Sequence, residues 1–461
     1  MLSLLLSARY VIGDFLMEYL QMIYLPNDNK IISFTPKVVD GTISESIRIF
    51  CASFISTMFV WTGIIVIFLA LIHIPIPNNI CDRVKLQTLE LLLRLSNEYL
   101  GNLVENLSGP KVRNVLTRFW LALPFYIFPM RYPDWLKIET IYIAGVRCRT
   151  YTPSKNFRKT DGAIIYVHGG GFCSLSPKCF DSMLVNLITN LGCFVISIDY
   201  DWAPESVYPR QVNQIEEVVT EFCESSYANF DVDPNSIVIM GDSAGGNLST
   251  VTAQRCKRKG KNYFKAQVLI YPVVSALDFS TPSFQQYYNE YPNTAILNPN
   301  ILTRWYLLYL GIPATQKNIK KCLSNQHLEE DFKNDERVKE SIDHDHLPQP
   351  FTNPDNYKKP SDKIKPCPEL APLYTKFAKN PDFCPLIAED MENLPEALII
   401  TCGYDILRDE GILYAKKLAR KGVPVDWKHY PLAYHGIMNM PYSEQRRQII
   451  SDISVYLEKR I

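Results

Sequence analysis

From residue 137 onward, short β-branched and aromatic runs alternate with stretches of helical periodicity. Segment 138–151 alternates as a hairpin does, 163–167 and 194–198 are uninterruptedly apolar, and 237–240 is a third such run closed by Gly241. Further runs follow at 266–274, 397–401 and 423–430, with helical patterns over 205–224, 248–259, 408–421 and 443–459. Continuous apolar runs joined by helices predict an α/β fold: a mostly parallel sheet of about eight strands with helices on both faces. Residues 275–394 are Pro-rich, charged and aromatic, too long a stretch for a structureless connection, and predict a cap insertion within a catalytic domain spanning 137–461.

The N-terminal part reads differently. Residues 49–72 include no Asp, Glu, Lys, Arg or His, and this run, bounded by Arg48 and His73, ends at Pro75-Ile76-Pro77. At about 1.5 Å per residue it is long enough to cross roughly 30 Å of hydrocarbon, so 49–74 is expected to be a single transmembrane helix and anchor. Residues 1–48 then form a tail, which Arg9, Asp14 and Glu18 interrupt and which lacks the basic start of a signal peptide. Residues 75–136 become the linker and N-terminal cap helices. Lys37 and Arg48 on one side balance Arg83 and Lys85 on the other, so charge leaves the orientation open.

Composition removes several function classes. The 461 residues carry 48 basic and 48 acidic side chains, which gives no net field to recruit nucleic acid. Twelve cysteines without one C-x-x-C pair make neither a zinc site nor a small disulfide scaffold. No metal or organic cofactor is expected.

The chemistry concentrates in three places. Gly241-Asp242-Ser243-Ala244-Gly245 follows a predicted strand and opens a helix, the context of a nucleophile elbow in which Ser243 is exposed above the sheet and the Ala244 amide faces a developing oxyanion. His168-Gly169-Gly170-Gly171 leaves the end of strand 163–167, and its glycine amides can approach the same oxygen; His168 reads as a structural hydrogen-bonding residue at the base of that loop. A serine nucleophile needs a base and an orienting acid in the order Ser, Asp, His. Of the histidines after Ser243 and outside the insertion, His429 falls inside a predicted strand and His435 just beyond it, which favours His435 as base. Asp405 follows strand 397–401 and is favoured as acid over Asp409 and Asp242, both read as structural.

These residues resemble a family, the arylacetamide deacetylase branch of the hormone-sensitive-lipase-like α/β hydrolases. The similarity runs from about residue 50 to residue 461. It rests on the glycine loop and elbow, on Tyr200, Ala203-Pro204-Glu205 and Tyr208-Pro209, on Tyr271-Pro272, on 384–389, on 402–411 and on His435-Gly436. The resemblance implies an α/β-hydrolase fold and a membrane-anchored serine hydrolase that cleaves carboxylic ester or amide bonds through Ser243, Asp405 and His435. It places the oxyanion site at His168, Gly169, Gly170, Gly171 and Ala244, and the catalytic domain in the lumen of the endoplasmic reticulum as a single-pass type II protein.

The same resemblance pairs Cys173 with Cys402 as a disulfide, the alternative being two free buried thiols. In that orientation Asn106-Leu107-Ser108 is a glycosylation sequon facing the lumen, whereas Asn247 is expected to be buried. Asp201-Trp202 departs from the family's usual Arg-Leu. An apolar aryl or lipid ester is the expected substrate, with neutral lipid or cholesteryl ester hydrolysis as the narrower alternative and a silent membrane-tethered binding module as the rival from another class. The aromatics Phe284, Tyr287, Tyr288, Trp305 and Tyr306 of the insertion are expected either to line the substrate site or to fill the cap core.

Overall fold

The structure is a computed structural model that describes residues 41–127, 130–294, 297–353, 357–360 and 364–461. Most of the expected tail, residues 1–40, lies outside the described residues. The chain divides into two compact units after Ile74. The first contains helix α1, Gly41–Ile72, a 32-residue element. Its side chains are described over 53–69, where Phe54, Met58, Trp61 and Ile65 are exposed. Among the described residues no helix is long and apolar enough to cross a membrane.

The second unit opens with α2 (Arg83–Leu93), a π-helical turn over Arg94–Leu100, α3 (Gly101–Ser108) and α4 (Pro110–Ile127). The strands are β1 (Leu136–Ile143), β2 (Val146–Pro153), β3 (Ala163–Val167), β4 (Phe194–Ile198), β5 (Ile237–Asp242), β6 (Ala266–Ile270), β7 (Glu396–Tyr404) and β8 (Val425–Tyr434). They form one eight-stranded sheet in the order β1-β2-β4-β3-β5-β6-β7-β8, with β1–β2 and β2–β4 antiparallel and every later pair parallel. β3, β4 and β6 are buried at every position, as parallel strands covered on both faces must be. The crossover helices are α5 (Asp181–Leu191), α6 (Arg210–Glu224) and α7 (Ala244–Arg258).

Between β6 and β7 lie α8 (Pro282–Glu290), α9 (Pro299–Tyr309), α10 (Gln316–Leu323), α11 (Glu330–Asn334), α12 (Glu336–Ser341) and α13 (Ala371–Ala378). These supply the body of the cap, and α14 (Arg408–Arg420) and α15 (Glu444–Leu457) complete the chain. Phe284, Tyr287 and Tyr306 are buried in the cap core, Tyr288 is exposed and Trp305 is half-buried. The expected helix from 205 starts only at Arg210, because residues 203–209 turn through two prolines, Pro204 and Pro209. The expected strand 266–274 stops at Ile270, where Tyr271 takes φ 38° and Pro272 has no N–H to donate.

Register is what positions the site. Val167 pairs with Gly241, Asp242 with Ile270, Ile270 with Ile400, and Tyr404 with Tyr434. The carboxyl ends of β3, β5, β7 and β8 therefore finish at one edge, and the next residues along the chain are His168, Ser243, Asp405 and His435. This edge is where open parallel sheets present their chemistry.

Candidate active site

Ser243 sits at the corner between β5 and α7 with φ 54° and ψ −121°, a conformation that L-residues avoid. The corner is over-determined by its neighbours: Ser243 N donates to Ile270 O at 2.9 Å, and Ser243 O accepts from Val273 N at 3.1 Å. Small flanks make it sterically feasible. A Cβ on Gly241 would come within 2.3 Å of Gly245 O, and one on Gly245 within 2.0 Å of Val167 O.

His435 bridges serine and acid. Its Nε2 stands 2.9 Å from Ser243 Oγ and its Nδ1 2.9 Å from Asp405 Oδ2. Asp405 is 2% exposed, and its second oxygen accepts from Leu407 N at 2.9 Å, which fixes the carboxylate plane. The Tyr271 ring packs 4.6 Å from the imidazole. His429 lies in β8 with Nδ1 3.0 Å from Thr401 Oγ1, away from the serine. Asp409 accepts from Ser283 N at 2.5 Å, tying α14 to the cap helix α8 rather than serving its own helix start.

The glycine loop divides into parts with different duties. Gly169 N donates to Asp242 Oδ1 at 2.7 Å, so this amide is already engaged and the expected oxyanion role of Gly169 is corrected. His168 has a structural place at the base of the loop. Its ring is buried and stacked 4.4 Å from Tyr200, its Nδ1 is 2.8 Å from Gly169 O, and Tyr200 donates its hydroxyl to His168 O at 2.9 Å. Burial lowers the His168 pKa and keeps the imidazole neutral. The amides of Gly170, Gly171 and Ala244 donate to no described protein group, which leaves them free to meet an oxyanion. Gly170 and Gly171 hold φ 118° and 60°, and a Cβ on Gly171 would stand 2.1 Å from the Trp305 ring of α9.

Sequence reasoning took Asp242 as structural without its partners, and missed Arg118 and Glu410. Asp242 is buried, accepts from Tyr166 Oη at 2.6 Å and faces Tyr271 Oη at 3.4 Å. Burial raises its pKa to about 6, against the pull of those hydrogen bonds. Arg118 of α4 reaches the other side of the loop, where Nε donates to Cys173 O at 2.7 Å and Nη2 to Ala203 O at 2.6 Å, with Glu205 as counter-ion and Trp202 beneath the guanidinium at 4.9 Å. Glu410 is buried and accepts from Val274 N at 2.7 Å and Ser275 N at 3.1 Å.

Cys173 and Cys402 are free thiols, which corrects the expected disulfide. Cys173 Sγ faces the Trp305 carbonyl, whereas Cys402 is buried in β7 just before Asp405. Burial pushes both thiols up, so neither is a reactive thiolate. Asn106 is exposed on α3, and Asn247 is buried with Nδ2 donating to Phe383 O at 3.0 Å.

The described geometry is that of an α/β hydrolase, a carboxylic ester hydrolase by class. The family model described as alpha/beta hydrolase fold matches residues 164–334 and 352–439, and the chain belongs to that family. Its relatives include neutral cholesterol ester hydrolase 1 of Bos taurus, 30% identical over 80% of this chain and 89% of that protein. Arylacetamide deacetylase of Rattus norvegicus is also 30% identical, over 80% of this chain and 91% of its own length. These place the chain in the arylacetamide deacetylase branch. Among solved structures, an esterase of Pyrobaculum calidifontis is 26% identical with a TM-score of 0.55, covering 84% of this chain and 99% of its own. A fungal esterase from Rhizomucor miehei is 25% identical with a TM-score of 0.56, over 79% of this chain and 96% of its own.

Proposed function

We propose that this hydrolase works through Ser243 as nucleophile, His435 as general base and Asp405 as the acid that orients it. The observation that carries the reading is the imidazole standing 2.9 Å from both the serine oxygen and the carboxylate. His435 takes the Ser243 proton as Oγ attacks an ester or amide carbonyl, and the Gly170, Gly171 and Ala244 amides receive the oxyanion. His435 then protonates the leaving alcohol or amine, leaving an acyl-enzyme. Water repeats the sequence, its proton passing to His435, and the acid departs with Ser243 restored.

The substrate in this reading is an apolar aryl or lipid ester. The similarity to a neutral cholesterol ester hydrolase favours the lipid end, and that to an arylacetamide deacetylase favours the aryl end. Residues 49–72 serve as a single-pass anchor, supported by the absence of Asp, Glu, Lys, Arg and His there and by the helix over Gly41–Ile72. The endoplasmic reticulum, with the catalytic unit lumenal, is the compartment we assign. The test is fluorophosphonate labelling together with hydrolysis of aryl acetates and long-chain esters. Ser243→Ala should lose labelling and about 10⁶-fold in kcat while keeping its fold. Labelling or turnover equal to the parent would remove Ser243 from the reaction.

A further inference from the structure

Helices α2 to α4 carry large apolar side chains on their outer side as well as on the core side: Leu86 is buried and Leu89 and Phe125 pack on the core, but Leu92 is 59% exposed, Leu107 76% and Val115 60%, with Tyr99, Leu103 and Phe119 each more than half exposed. Their carboxylates face inward. Glu90 is buried against Arg94, Glu98 accepts from Asn298 Nδ2 at 3.1 Å, and Glu105 is held between Arg113 and the cap residue Arg304. The exposed charges on these helices are Arg83, Lys85 and Lys111, all basic. A helix set meant for water keeps its large apolar side chains to the stripe on the core. Exposed apolar side chains accompanied by the basic Arg83 and Lys111 and by no exposed carboxylate are complementary to a lipid headgroup and acyl boundary, Lys85 being bonded to Asp82 and the Tyr442 carbonyl. Chain continuity points the same way. Only residues 73–82 separate α1 from α2, a tether reaching at most about 35 Å.

We infer that the outer face of residues 83–127 rests on a lipid surface, so that the cap above the Ser243 site lies against the bilayer that holds apolar esters. In one respect this rests on the anchor reading given above, since α1 would hold the face near a membrane. The face also communicates with the site, because Arg118 of α4 grips the carbonyls of Cys173 and Ala203.

The test uses the full chain in phosphatidylcholine vesicles carrying radiolabelled phosphatidylcholine, with p-benzoylphenylalanine placed singly at Leu107, Val115, Phe59 and Asn262. Asn262 is exposed and precedes β6, at the opposite edge of the sheet from the site. Each variant is first checked for hydrolysis of a water-soluble aryl acetate. Light should attach lipid at Leu107→p-benzoylphenylalanine and Val115→p-benzoylphenylalanine at least about fivefold above Asn262→p-benzoylphenylalanine. Lipid labelling at 107 and 115 no greater than at 262 overturns the inference, as does cross-linking there to a second copy or to the chain's own N-terminal residues. Phe59 separates the two claims: labelled, it leaves the anchor standing when the face fails; unlabelled, it removes the anchor. As a second arm, Leu103→Glu with Leu107→Glu should slow a vesicle-borne long-chain ester about tenfold and leave the soluble aryl acetate unchanged. Equal rates on the vesicle-borne ester overturn the inference, and if both activities fall the cross-linking result decides.

Discussion

Gly171 occupies a point that a side chain cannot share, because a Cβ there would lie 2.1 Å from the Trp305 ring while the backbone already stands at φ 60°. Gly171→Ala should therefore push the loop away from Trp305 and misplace an oxyanion donor, lowering kcat about 10²- to 10³-fold. Trp305→Ala in that background removes the collision but not the unfavourable φ, and should restore about tenfold, read on an aryl acetate. A double variant as slow as Gly171→Ala would mean that the contact with α9 is not what holds the loop. Asp242 invites a different measurement. Its folded pKa, raised to about 6, lies above its ordinary value of 3.8, so its charged form costs native stability that is fully present above about pH 6 and relieved below about pH 4. Asp242→Asn carries no such cost. Relative to the parent, the variant should gain up to about 3 kcal/mol between pH 4 and pH 7 in denaturant unfolding. A difference independent of pH would show that Asp242 is not desolvated as the fold implies.

At the scale of elements, what could be read from the chain was what depends on near neighbours. β3 and β4 are legible because burial on both faces leaves no polar position to blur the run, and the edge they share with β5, β7 and β8 follows from parallel order. The Ser243, Asp405 and His435 positions could be singled out because Ser243 sits in an elbow motif after a predicted strand and Asp405 and His435 lie just beyond the ends of later ones, in the order Ser, Asp, His. The donors of the glycine loop could not be sorted, since whether Gly169 is free depends on where Asp242 points, 73 positions away. Arg118 was illegible for the same reason. Its bonds to Cys173 and Ala203 span 55 and 85 positions, and no local pattern announces them. Its importance is open to measurement. The guanidinium forks between two carbonyls and a carboxylate, which an ammonium cannot reproduce. Arg118→Lys should therefore lower kcat about tenfold with KM little changed, and Arg118→Ala should do at least as much. If KM rises while kcat holds, Arg118 contacts substrate instead of positioning the loop that meets it.

For the whole molecule, the division after Ile74 separates an apolar helix from a unit that holds the entire sheet and cap. The catalytic unit has its own closure. Cys81 N donates to Leu432 O at 2.9 Å, Tyr404 Oη bonds Asn79 Oδ1 at 2.5 Å, and Glu105, despite desolvation, is held below its ordinary pKa by Arg304 and Arg113. None of these contacts uses a residue before 75. A chain beginning at Pro75 should therefore keep its kcat/KM on a soluble aryl acetate within about twofold, and its melting temperature within about 3 °C. Its membrane behaviour should change in kind. The full chain should resist alkaline carbonate extraction as an anchored protein does, whereas the shortened one should be extracted while still sedimenting with vesicles through the outer face of 83–127. Loss of aryl acetate turnover on shortening would show that the N-terminal segment supports the catalytic unit directly. Carbonate resistance that survives shortening would locate the anchor elsewhere than residues 49–72.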